Sequence, residues 1–144
     1  IWWLGRLLDG TDGIFARATQ QTSLFGAFLD ILSDMASYSI MVLGFSLAFP
    51  DQDFAWRIVL FLYVLCITGA LSLGSLQEKR KLPPQDNRGL RLAAGLAEGG
   101  ETGIAYSIFL ILPQFISISG WIWIGFLIVT VISRCLLAYR ELRE

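Results

Sequence analysis

Histidine is missing from all 144 residues, and cysteine occurs only twice. The lack of imidazole removes the usual argument for zinc or iron. Cys66 and Cys135 both lie in apolar runs and read as packing residues, so neither a disulfide framework nor a thiolate metal site is indicated. Charge is scarce as well: 16% of residues are charged against 55% hydrophobic, and mean hydropathy is +0.62. That balance excludes an ordinary water-soluble domain and fits a chain whose solvent is lipid. The net charge of −1 conceals a partition of the charges along the chain, and no nucleic-acid partner is expected. No signal peptide is visible.

The apolar residues fall into five segments, which predict an all-α, polytopic transmembrane bundle. The first runs from the start to about residue 17, and its apolar stretch IWWLGRLL is too short to span roughly 30 Å of hydrocarbon by itself. Helices are then expected over about 24–49, 54–75, 92–112 and 116–138. Thr22 or Ser23 can cap the second, and Pro50 and Pro113 close the second and fourth. The one sizeable polar loop, QEKRKLPPQDNRGLR, holds Lys79, Arg80, Lys81, Arg88 and Arg91, so the positive-inside rule makes it cytoplasmic. Trp121 and Trp123 fit an interfacial belt at the outer end of the last helix, with Arg134, Arg140 and Arg143 toward its inner end. Gly95, Gly99, Gly103 and Ser107 form a small-residue stripe suited to close helix contact.

Against this background the acids between residues 9 and 34 stand out. Asp9, Asp12, Gly13, Ala16 and Arg17 occur at i, i+3, i+4, i+7 and i+8 and share one helix face; Gly26, Asp30 and Asp34 step by four along the next. Carboxylates within a membrane mark a pathway, a partner or a metal. Four of them exceed what Arg17 can neutralise, and oxygen donors with nothing softer nearby suit hard cations such as Mg²⁺ or Mn²⁺. Two divalent ions would balance four aspartates. Taken singly, each acid is equally well read as a solvated helix-end residue or an ion pair with Arg6 or Arg17, and the set as the ion or proton site of a small transporter.

Written out, the stretch is D-x-x-D-G-x-x-A-R, eight residues, then G-x-x-x-D-x-x-x-D, and it resembles the signature of the CDP-alcohol phosphotransferase family at all eight defining positions. The resemblance implies transfer of a substituted phosphate group from a CDP-alcohol to an acceptor hydroxyl with release of CMP. It implies metal binding by Asp9, Asp12 and Asp30, with Asp34 as the general base and a further metal contact. Gly13, Ala16 and Gly26 would be small because the cytidine nucleotide packs against their backbones, and Arg17 would grip phosphate. A transporter needs carboxylates but neither Arg17 nor these glycines, so the full signature favours the enzyme.

The wording RLLDGTDG and GLAEGGET looks most like bacterial members that use CDP-diacylglycerol. The expected protein is therefore a phospholipid-biosynthesis transferase, dimeric with itself and embedded in a bacterial inner membrane, with its site facing the cytoplasm. The resemblance also implies six helices. With no initiator Met, the expectation is a single domain over residues 1–144, truncated at its N-terminus by about one and a half helices. Glu98 and Glu101 are the acids outside the signature that fall within a hydrophobic helix, three residues apart on one face of the fourth. They either pair with a base such as Arg91 or Arg134, or line the acceptor pocket, where a carboxylate disfavours a phosphorylated acceptor and favours a neutral polyol or an amine-bearing alcohol.

Overall fold

A computed structural model gives the architecture and describes residues 24–79 and 99–143. Its elements are helix α1 (Leu24–Ala48), a 3₁₀ turn (Pro50–Gln52), α2 (Asp53–Lys79), α3 (Gly99–Ile111), a second 3₁₀ turn (Pro113–Phe115) and α4 (Ile116–Leu142). The all-α expectation holds. Four of the five expected segments are accounted for, and the first lies outside the described residues, as do residues 80–98, which take in most of the basic loop.

Both turns have one cause. Proline bars the residue before it from helical geometry. Phe49 accordingly sits at φ −131°, ψ 71° and Leu112 at φ −122°, ψ 57°. Each still closes the helix it ends, Phe49 N–H donating to Phe45 O and Leu112 N–H to Ile108 O, both at 2.9 Å. Asp53, expected in a loop, instead opens α2, where its charge suits the helix dipole. It accepts hydrogen bonds from Ser46 and Arg57. Ser117 Oγ, at the start of α4, donates to Gln52 Oε1 at 3.2 Å, so the two turns are neighbours.

At the opposite end α2 and α4 each run four residues beyond the expected stop. The polar residues there do not break the helix, because Gln77 Nε2 of α2 donates to Glu141 Oε2 of α4 and the added turns hold each other. Arg143 stacks over the Tyr139 ring at 5.2 Å, the snorkelled arrangement of a base at a helix end.

By compactness the chain divides into Ile1–Ile40 and Met41–Glu144, with α1 running through the boundary. In the second unit, α2 and α4 make the most extensive helix contact. Its origin is periodic: Trp56, Val59, Tyr63, Cys66, Ala70 and Leu73 are buried on α2, and Ile116, Gly120, Trp123, Leu127, Thr130 and Arg134 on α4, each a stripe of three- and four-residue steps. A Cβ at Gly120 would lie 3.4 Å from the Trp56 ring, so this glycine admits the indole. The close contact expected along the Gly103 stripe is absent there. A Cβ at Gly103 would meet nothing within 4 Å.

Phe45, Trp56, Tyr106 and Phe109 form an aromatic cluster next to the turns, with ring centroids 5.2–6.0 Å apart. The outward faces are equally apolar: Phe61, Val64, Ile118, Ile122 and Ile132 are all exposed. Water would penalise such a surface, whereas lipid does not. Leu24–Ala48, Pro50–Lys79 and Pro113–Leu142 are each long and apolar enough to cross a membrane.

One polar knot lies inside this core. Tyr63 OH of α2 is 2.8 Å from Tyr106 OH of α3 and accepts a hydrogen bond from Trp123 Nε1 of α4 at 3.0 Å, and Thr102 also reaches it. All four side chains are buried. Tyr63→Phe strips three helices of their shared partner and leaves the indole N–H unsatisfied, so a stability loss of about 1–2 kcal/mol is expected. Tyr106→Phe, which keeps the bond from Trp123, loses less. Thermal unfolding in detergent compares the two; equal losses would mean that Tyr63 is not the hub.

Candidate active site

Helix α1 carries the described half of the signature. It starts after a polar connector and continues without a breaker to Pro50, so four-residue steps along it return close to the same azimuth. Gly26, Asp30 and Asp34 therefore form one stripe, with about 6 Å of rise between successive members. Asp30 is exposed and Asp34 half-buried. Ser33 Oγ donates back to the Asp30 carbonyl at 3.0 Å, which ties its side chain to the helix backbone. Phe25 and Phe28 stack at 6.4 Å on this first stretch, where Leu29 and Leu32 are exposed as well, so the acids rise from an apolar surface.

Two carboxylates one turn apart repel each other, and the helix gains if a cation sits between or beside them. Both offer hard oxygen donors, which matches Mg²⁺ or Mn²⁺. The donor set of α1 thus fits the expected ions in chemistry. Asp9, Asp12, Gly13, Ala16 and Arg17, the other half of the signature, lie outside the described residues, as do Thr22, Ser23, Arg88, Arg91 and Glu98.

The family model for CDP-alcohol phosphatidyltransferases matches residues 1–132. The chain belongs to the CDP-alcohol phosphatidyltransferase family. The match takes in the signature and continues through α1, α2, α3 and most of α4. A curated relative, the inner membrane protein YnjF of Escherichia coli (strain K12), is 31% identical over an alignment covering 98% of this chain and 69% of the relative. No solved structure matches the chain. The family's enzymes transfer substituted phosphate groups and generally use divalent metal ions. With three helices fit to span a bilayer and an inner-membrane relative, the protein is a multi-pass integral membrane protein.

Arg134 and Glu101 do not form the ion pair that was one of the readings offered above. Arg134 is buried on α4 and its Nη1 donates to the Cys66 carbonyl of α2. Glu101, exposed on α3, does not pair with it. Glu101 and Phe126 line the same groove, and Arg134 is two helical turns, about 12 Å, further along α4. That groove, and the Tyr63 knot, are features that spacing alone did not reveal. For the knot a signal existed: a tyrosine in an apolar helix needs a partner for its hydroxyl.

Proposed function

We propose that the protein transfers a phosphatidyl group from CDP-diacylglycerol to the hydroxyl of an alcohol and releases CMP. The observation that carries this reading is the eight-position signature, whose second half folds as the single stripe Gly26, Asp30, Asp34 on α1. Family membership speaks for the enzyme over an ion-conducting role, since transport requires neither the arginine nor the glycines.

In this reading Asp9, Asp12 and Asp30 hold two Mg²⁺ or Mn²⁺ ions, with Asp34 able to join them. When bound, such ions neutralise the charge of the pyrophosphate and of the departing CMP. The chain's own residues do the rest. Gly13, Ala16 and Gly26 leave room for the nucleotide to approach the backbone, and Arg17 orients a phosphate with its forked guanidinium. Asp34 takes the proton of the acceptor hydroxyl as its oxygen bonds to the phosphatidyl phosphorus. The bond from that phosphorus to the bridging oxygen breaks, and its electron pair leaves with CMP.

A water-soluble nucleotide and a lipid must meet at such a site, which places it on the cytoplasmic side of an inner membrane, and the active form is a homodimer packed through transmembrane helices. Native mass spectrometry in lipid tests the dimer, and a monomer alone would remove it. The function is tested in bilayers with CDP-diacylglycerol, a panel of alcohols and CMP as readout. CMP release that needs both an acceptor and a divalent ion is the expected result. No release from any CDP-alcohol, or full release in excess chelator, would overturn the proposal.

A further inference from the structure

Helices α3 and α4 leave between them a groove of about 440 Å³ on the outer surface of the bundle, all of it within Met41–Glu144. Ala105, Phe109 and Trp123 line it from buried positions, while Ile104, Ile108, Ile122 and Phe126 are between 44% and 64% exposed. The polar protons in its walls are already used: the Trp123 indole N–H donates to Tyr63 OH at 3.0 Å and the Ser119 hydroxyl to Phe115 O at 2.9 Å. Glu101 is the single ionisable group there. It is exposed at the end of the groove away from the Pro113 turn and makes no hydrogen bond or ion pair with any described residue.

The depth of this carboxylate follows from α4. Glu101 and Phe126 line the same groove, and Phe126 lies about 15 Å along α4 from Ile116 and about 24 Å short of Leu142. Charged residues mark both ends of the α2–α4 pair, Asp53 and Arg57 at one and Lys79 and Arg140 at the other, so a hydrocarbon core of about 30 Å is centred between them. Phe126, and Glu101 with it, falls close to the middle of that core. A charge at this level is costly unless an opposite charge meets it inside the membrane.

The sources of such a counter-charge differ in the depth they reach. A lipid ammonium belongs to a head group and stays at the interface, about 15 Å away, and the alkyl chain that does reach the middle has nothing to offer a carboxylate. A second copy of this chain has no base to give at that level among the described residues. Arg57 lies near the turns and pairs with Asp53, Arg134 is buried and bonded to Cys66 O, and Lys79, Arg140 and Arg143 stand at the far helix ends. A base on another transmembrane helix does reach, because the length of that helix fixes it at mid-depth and its alkyl stem lies along apolar walls.

We propose that the groove is an intramembrane docking site for a transmembrane helix of a second membrane protein, one that carries a lysine or arginine near its midpoint. The base pairs with Glu101. From there the groove runs about 12 Å to Phe109, so apolar side chains four and seven residues further along the same face of the partner fill it toward the Pro113 turn. The docking site is independent of the transferase reading above.

The test uses the protein in phosphatidylcholine vesicles with a synthetic probe, a leucine–alanine transmembrane helix that has one central lysine and a diazirine four residues from it. After photolysis and peptide mapping, label is expected within residues 101–126. The same helix with leucine in place of the lysine, or with the lysine moved two turns toward either end, should label about tenfold less. Glu101→Gln should bring the lysine probe down to the level of the leucine probe, and Glu101→Asp should keep part of the difference. Ile108→Trp fills the groove from an exposed position and should reduce labelling by both probes at unchanged melting temperature.

Equal labelling by the lysine and leucine probes, or equal labelling of the unaltered protein and Glu101→Gln by the lysine probe, overturns the proposal. Label displaced by excess monooleoylglycerol but not by unlabelled lysine probe marks a lipid site and overturns it as well. So does a crosslink between the α3–α4 faces of two copies that forms without the probe, since that assigns the groove to self-association. CMP release is a readout in none of these arms, so failure here and failure of the transferase reading are told apart.

Discussion

In Asp30→Asn, metal-dependent CMP release falls by about a thousandfold or more, and the loss is not a loss of fold. Asparagine keeps the shape of the side chain and one carbonyl oxygen, so only the negative charge is removed. For a hard cation that charge supplies most of the attraction, and no softer ligand stands in reserve in a chain without histidine. Asp30 is exposed on α1 and its Ser33 contact is to the backbone carbonyl, which the substitution leaves in place. Removing one of two like charges a turn apart also relieves repulsion in the helix. The melting temperature should therefore hold or rise slightly while Mn²⁺ binding, followed by its paramagnetic resonance signal, weakens. Asp9→Asn should behave the same way. Unchanged Mn²⁺ binding in both variants would show that these acids do not hold the ions.

How far the structure was readable from the residues depends on whether the information is local. Both proline turns were legible because proline restricts the residue before it whatever surrounds them, and Phe49 and Leu112 adopt the resulting geometry. The stripe of Gly26, Asp30 and Asp34 was legible for a similar reason, since helical periodicity fixes a shared face once the helix is granted. The far ends of α2 and α4 were not. They depend on Gln77 meeting Glu141, residues 64 apart, and polarity alone argued for an earlier stop. The glycine contacts misled in the same way: Gly103 belongs to a four-residue stripe yet meets open space, whereas Gly120, which belongs to none, receives the Trp56 ring. Which small residue is used is decided by the large one opposite. The α3–α4 groove exists only because side chains of two helices fail to fill the space between them, and no periodicity within either helix reports that.

Asp34→Asn separates binding from chemistry on the same stripe. If Asp34 is the base, its carboxylate is needed only as the acceptor hydroxyl attacks, so turnover should drop by about 10²–10⁴-fold, the usual contribution of a positioned base. CMP and metal affinity should change little by comparison, because Asp30 with Asp9 and Asp12 still supplies three carboxylates for the ions in the proposed set. The contrast with Asp30→Asn is the informative part: one turn of helix, the same loss of one charge, and ion binding weakened in one variant but largely kept in the other. Asp34 is half-buried where Asp30 is exposed, as suits a group that must meet a hydroxyl away from bulk water. Calorimetry with CMP in the presence of Mg²⁺ gives the affinity and CMP release gives the rate. The rate of the variant should also become more sensitive to how acidic the acceptor alcohol is, because an acceptor that is already ionised restores part of the activity. If CMP affinity falls in step with turnover, Asp34 is chiefly a metal ligand, and the proton must go to another group.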